Sequence, residues 1–188
     1  MKIKIAGVPE HFNLPWQLAI ENNEFIDQGI DLEWTHVPEG TGKLCEMLRK
    51  NETDLAVILT EGIIKDILAG NPSKIIQVYV KSPLIWGIHV AANSKFQSIT
   101  DLKDTRIAIS RRGSGSELMA YVNAHNYNWP TENLQCEIVN TIEGAVEALT
   151  NEKADYFMWE RFMTKPLVDQ GIFRRLDDCL TPWPSFVI

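Results

Sequence analysis

Residues 111–116 read Arg111-Arg112-Gly113-Ser114-Gly115-Ser116 and combine the residue types suited to capturing an anion. The apolar run 106–110 before them fits a buried strand. Residues 117–126 fit a helix with Leu118, Met119 and Val122 on one face. Gly113 and Gly115 let the main chain approach a ligand closely, because neither carries a β-carbon. Ser114 or Ser116 can cap the helix, whose dipole favours a carboxylate, phosphate or sulfonate. Arg111 and Arg112 add positive potential. An ordinary serine cap after a flexible turn satisfies the same pattern, and both readings stay open. The run is not a phosphate-binding loop, since Gly115-Ser116-Glu117 lacks the required lysine. Two glycines do not make the three-glycine dinucleotide fingerprint either.

Other reactive types fall where predicted strands end. Glu10, Glu61 and Glu160 are carboxylates at such ends, and a buried pair could act as acid and base. His11 and Asn13 share the loop after the first strand, and Thr60 precedes Glu61. Trp159 precedes Glu160, so an indole could stack on a planar ligand while the carboxylate accepts from an amine or ring N–H. His89 alternates with Ile88 and Val90 and reads as structural, and His36 and His125 read as surface positions. No two histidines have helical i, i+4 spacing, and Cys45, Cys136 and Cys179 are widely separated with no Cys-x-x-Cys, so no metal is expected. No Ser-His-Asp order or reactive-cysteine setting is visible. No residue is assigned a catalytic role, and no cofactor is implied.

These residues must be positioned by alternating elements. Strands are predicted at 2–8, 30–37, 55–60 and 74–80, with helices at 15–25, 42–50 and 62–69. This β-α-β-α order implies a parallel sheet. After an 84–90 strand entered through Pro83, a second series begins with a helix start at 100–102. It runs through strand 106–110, helix 117–126, strand 135–139, helix 142–151, strand 156–159 and a helix near 164–170. Residues 174–176 form a last short strand. The expected organisation is a first lobe at 1–81, a crossover or hinge at 82–92 that includes Trp86, a second lobe at 93–182, and a return toward the first lobe at 183–188. Ligands of open α/β sheets sit beyond the carboxyl ends of the strands, which is where these loops lie.

The 188 residues suit two lobes of about 90–100 residues. With 45% hydrophobic residues the chain can fill its cores, and its net charge of −7 argues against nucleic acid and anionic membrane as partners. No run approaches the roughly 20 apolar residues of a membrane span, so no membrane insertion is expected. Met1-Lys2-Ile3-Lys4-Ile5 is a strand-like start rather than a secretory signal. Three reduced thiols suit a cytoplasmic protein. A periplasmic or lipid-anchored location would apply had a signal been removed.

The segments Ile5-Ala-Gly-Val-Pro-Glu10, Asp54-Leu-Ala-Val-Ile-Leu-Thr-Glu61, Gly113-Ser-Gly-Ser116, Ala154-Asp-Tyr-Phe-Met-Trp-Glu160 and Thr181-Pro-Trp-Pro184 together resemble the type II periplasmic-binding-protein family. The closest likeness is the branch of thiamine-pyrimidine-precursor binding and synthesis proteins, including signal-less solute-binding-like proteins. The resemblance implies an α/β, two-lobed fold whose interlobe cleft closes on a small, planar, polar or anionic solute. It maps ligand contacts onto Thr60, Glu61, Ser114, Gly115 and Ser116. Glu10, His11, Asn13, Arg111, Gly113, Trp159 and Glu160 are the further candidates read from position. The iron-binding cysteine motif of the pyrimidine-synthesising relatives is absent. The family returns further helices to the first lobe, so that lobe is expected to be incomplete at the C-terminus. A permease of an ATP-driven transporter or a second copy of the chain is the implied partner. Relatives on this fold include dehydratases, so a lyase using the strand-end carboxylates is the rival reading, and a regulatory ligand-sensing domain is the third.

Overall fold

A computed structural model describes residues 1–132 and 134–188. Its strands are β1 (Lys2–Gly7), β2 (Asp31–His36), β3 (Leu55–Leu59), β4 (Val78–Val80), β5 (Ile85–Ala91), β6 (Arg106–Ile109), β7 (Gln135–Ile138), β8 (Tyr156–Glu160), β9 (Phe173–Leu180) and β10 (Phe186–Val187). Its helices are α1 (Leu14–Glu21), α2 (Thr41–Arg49), α3 (Thr60–Leu68), α4 (Gly115–Asn126), α5 (Ile142–Thr150) and α6 (Arg161–Asp169). The chain divides into two compact units, Met1–Pro83 with Trp183–Ile188, and Leu84–Pro182.

The first unit holds a five-stranded sheet in the order β2-β1-β3-β10-β4. β1 pairs in parallel with β2 and β3, as βαβ connections require. β10 enters antiparallel between β3 and β4, so the sheet is mixed rather than parallel. Ala6, Leu44, Ala56, Ile58, Ile63 and Val187 pack into one core. The predicted helix 15–25 stops at Glu21, because the chain turns through Asn23 at φ +59. The predicted strand 74–80 shortens to β4, although Ile76 still donates its amide to Ile188 O at 2.8 Å. Ile64, Leu68, Ile75, Ile76 and Val78 are exposed.

The returning residues are tied to the end of β3. Thr60 donates its hydroxyl to Pro184 O at 2.6 Å, and its amide bonds Ser185 O at 3.1 Å. Thr60→Val keeps the shape and leaves a carbonyl short of its donor, which should cost about 1–2 kcal/mol. The expected result is a lower urea midpoint, with faster exchange of the Ile188 amide that bonds Gln77 O. An unchanged midpoint would show that this bond contributes nothing.

The second unit holds a sheet in the order β7-β6-β8-β5-β9. β6 pairs in parallel with β7 and β8, while β5 is antiparallel to both β8 and β9. Residues 85–91, read above as a crossover, therefore form an interior strand of this sheet. Trp86 through Ala91 are all buried. The short strand expected at 174–176 is in fact the eight-residue β9. Its Arg174, Arg175, Asp177 and Asp178 mask the alternation, and such charges on an edge strand discourage pairing with another chain. α6 begins at Arg161, not near 164, because the Glu160 carboxylate accepts the Met163 amide at 2.9 Å and caps it.

Ala108, Ala145, Leu149, Phe157 and Phe173 form the core beneath α5 and α6. Burying Phe157 alone contributes about 2–3 kcal/mol.

Candidate functional site

The head of α4 carries the most concentrated set of candidates. Gly113 has φ +72, a left-handed conformation that glycine adopts without strain. The turn it makes brings Ser114 to the cap position, where its hydroxyl accepts the Glu117 amide at 3.2 Å. Ser110, Ser114 and Ser116 are all buried. Ser116 Oγ accepts the Ser110 amide at 2.9 Å and lies 3.0 Å from Ser114 Oγ. Its hydroxyl braces the loop from inside. The amides of Gly115 and Ser116 donate to no backbone carbonyl among the described residues, as first-turn amides do.

Two further residues complete this loop, and sequence reasoning assigned neither to it. Trp86, at the start of β5, packs its six-membered ring on Gly115. A β-carbon there would lie 3.3 Å from Trp86 Cη2 and 3.4 Å from Cζ2. Trp86 is 8% exposed, and its Nε1 is buried without a hydrogen-bond partner. Glu117 reaches back past the cap. One carboxylate oxygen accepts the Gly113 amide, and the other accepts Arg112 Nη1 at 2.8 Å. The spacing Ser114-x-x-Glu117 is that of a capping box and could have drawn attention to Glu117. Arg111 is exposed beside it.

Trp159 is half-buried and stacks on Phe157 with centroids 5.4 Å apart, and it meets Trp86 edge-on at 6.1 Å. It packs against the core of the unit while Glu160 caps α6. Among the described residues no group of histidines, cysteines and carboxylates is gathered to hold a metal ion.

In the first unit the candidates separate by burial. Glu10 and His11 are exposed, His11 lying edge-on to Phe12 at 5.7 Å. Asn13 is buried, donates Nδ2 to Val8 O at 2.8 Å and leaves Oδ1 without a partner. Thr60 is buried against Pro184. Glu61 accepts Trp183 Nε1 at 3.1 Å, and burial raises its carboxyl pKa against the pull of that hydrogen bond. Beside Asn13, Phe12, Trp16 and Tyr79 form an aromatic wall with centroids 6.0–6.4 Å apart, and Tyr79 donates its hydroxyl to Phe12 O at 2.7 Å.

Residues 86–179, half of the chain, match the model of a family described as Ca3427-like PBP. The chain belongs to this periplasmic-binding-protein family. Among solved structures, the Ca3427-like fold is similar to the Candida albicans CA3427 product, described as defining a family with the generic periplasmic-binding-protein fold. The two are 34% identical, with TM-score 0.79 over all of this chain and 62% of that one. The periplasmic aliphatic sulphonate-binding protein SsuA of Escherichia coli is 18% identical, with TM-score 0.73 over 99% of this chain and 60% of that one. XAC2383 from Xanthomonas citri, solved bound to ATP, is 13% identical with TM-score 0.62, over 99% of this chain and 75% of that one. The latter two share the fold. The chain spans about three fifths of the length of the first two proteins. No curated protein matches its sequence. The likeness establishes the two-lobed α/β binding-protein fold, and no helix of the described residues is long and apolar enough to cross a membrane.

Proposed function

We propose that this chain is a solute-binding module whose second unit holds the anionic or polar end of a small, planar solute at the head of α4. The observation that carries the reading is the indole of Trp86, whose six-membered ring stands beside Gly115 and whose N–H is buried without a partner. A buried donor left unsatisfied costs about 1–3 kcal/mol, a penalty that a ligand oxygen would remove. The free first-turn amides of Gly115 and Ser116 supply two more donors at the positive end of the helix dipole. That relatives on this fold are described as binding a sulphonate and ATP, both anionic, supports the same chemistry. A pyrimidine of the thiamine-precursor type, planar with a polar end, belongs to this class.

A transporter permease or a second copy of the chain is the partner that goes with this reading. The exposed apolar residues of the first unit, Leu68 and Ile76 foremost, favour an apolar contact. A periplasmic or anchored location would accompany the permease.

Trp86→Phe removes the N–H and keeps a ring. Titration calorimetry with methanesulfonate, the smallest sulfonate probe, should show affinity at least tenfold weaker, which corresponds to about 1.4 kcal/mol. Equal affinity in a folded variant would remove Trp86 from the site.

A further inference from the structure

We infer that Glu117 sets the charge of the group this loop accepts, favouring a singly charged anion over a doubly charged one. The inference rests on the anion-binding reading of the loop and specifies which anion it takes.

Glu117 stands in the first turn of α4, and its carboxylate is mostly buried, with 14% of the side chain exposed. It is held at the positive pole of the helix by the Gly113 amide and by Arg112. The position where a bound anion gains from the helix dipole is therefore already shared with a fixed negative charge. Arg112 is engaged by that same carboxylate, so its charge is largely offset. The donors identified for a ligand are neutral, namely the amides of Gly115 and Ser116 and the buried, unpartnered Nε1 of Trp86. The remaining nearby cation, Arg111, is exposed, and its guanidinium makes no hydrogen bond or ion pair among the described residues. Solvent screening weakens an exposed charge of this kind. Neutral donors can satisfy a singly charged oxyanion, but a second ligand charge doubles the repulsion from Glu117 and gains no paired cation in return.

Coulomb energy is proportional to ligand charge, which makes the inference quantitative. Sulfate and methanesulfonate share a tetrahedral sulfur–oxygen head and differ in charge, two against one. Glu117→Gln removes the charge and keeps an acceptor for the Gly113 amide. Whatever factor it adds to methanesulfonate affinity, it should add about the square of that factor for sulfate. At low ionic strength the sulfate-to-methanesulfonate affinity ratio should rise roughly tenfold. Arg112→Gln, which leaves Glu117 less compensated, should move the same ratio the opposite way and covers the case in which the first variant does not fold. Opposite movements in the two variants support the inference. Equal changes for both anions would overturn it while leaving an anion site in place. Failure of both probes to bind wild type and variants alike would instead overturn the anion-binding reading, and the inference with it.

Discussion

Gly144→Ala should destabilise the second unit by about 2 kcal/mol net, although it places a strong helix former inside a helix. A β-carbon at this position would stand 2.0 Å from Val139 O, a backbone atom. That carbonyl is fixed from several directions. It accepts the Thr141 amide at 2.7 Å, while the Val139 and Asn140 amides bond Ile109 O and Ser110 O. α5 cannot withdraw, because Ala145, Ala148 and Leu149 are buried against the sheet and the Thr141 hydroxyl accepts the Gly144 amide. Overpacking of this kind costs about 3 kcal/mol, against about 1 kcal/mol gained from alanine's helix propensity. For a unit of this size the melting temperature should fall by roughly 8–16 °C. Gly42→Ala is the matched control. It lies in α2, a β-carbon there meets nothing within 4 Å, and it should be neutral or slightly stabilising. A Gly144 variant that melts with wild type would mean that the Val139 turn yields at little cost.

Acidification from pH 7 toward pH 5 should weaken the protein through one buried imidazole. His89 is fully buried in β5, with its Nε2 3.0 Å from Thr164 Oγ1. Burial, aided by the Arg175 guanidinium, lowers its pKa to about 4. The backbone at Phe157 and Gly87 and the Asp178 carboxylate act in the opposite sense. Because the folded pKa lies below the unfolded one, the unfolded chain binds the proton first. Stability from this group is complete above about pH 6.5 and is lost as pH falls toward 4. Between pH 7 and 5 the loss should be about 2 kcal/mol. Glu61 works in the other direction, since its raised carboxyl favours the folded state as pH drops. Comparing wild type with His89→Gln cancels that contribution. The variant should be less stable at pH 7 but show a flatter decline of urea midpoint between pH 7 and 5. Parallel declines would place the acid sensitivity elsewhere.

Legibility in the sequence followed how directly local pattern determines local structure. β1, β3 and α4 were readable because apolar spacing and a serine cap act within a few residues. β9 was not, because its inward positions are interleaved with four charges that only its edge position explains. The antiparallel placement of β5 and β10 depends on pairing between distant segments, which the βα alternation does not encode. The loop at 111–116 was recognised by composition, yet two of its determining neighbours were assigned elsewhere or passed over. Trp86 reaches Gly115 from 29 positions upstream in the chain, and nothing in its own neighbourhood signals that contact. Ser116 was chosen for its hydroxyl, which the fold turns inward to hold Ser110. Trp159 and Glu160 were chosen for their place at a strand end, where their contacts are with the Phe157 ring and the α6 cap.

The threading of the first unit has a consequence for how the molecule is made. Its sheet is completed by β10, which slots between β3 and β4 only after the whole of Leu84–Pro182 has intervened. Synthesis runs from the amino terminus, and domains generally fold as units while it proceeds. All strands of the second unit have therefore emerged before the first sheet can close, although the first unit began earlier. During that interval the flanks of β3 and β4 that β10 will occupy are open backbone, the kind of edge that invites mispairing. The nascent first half is thus the vulnerable stage, and a chaperone's window of engagement would fall there.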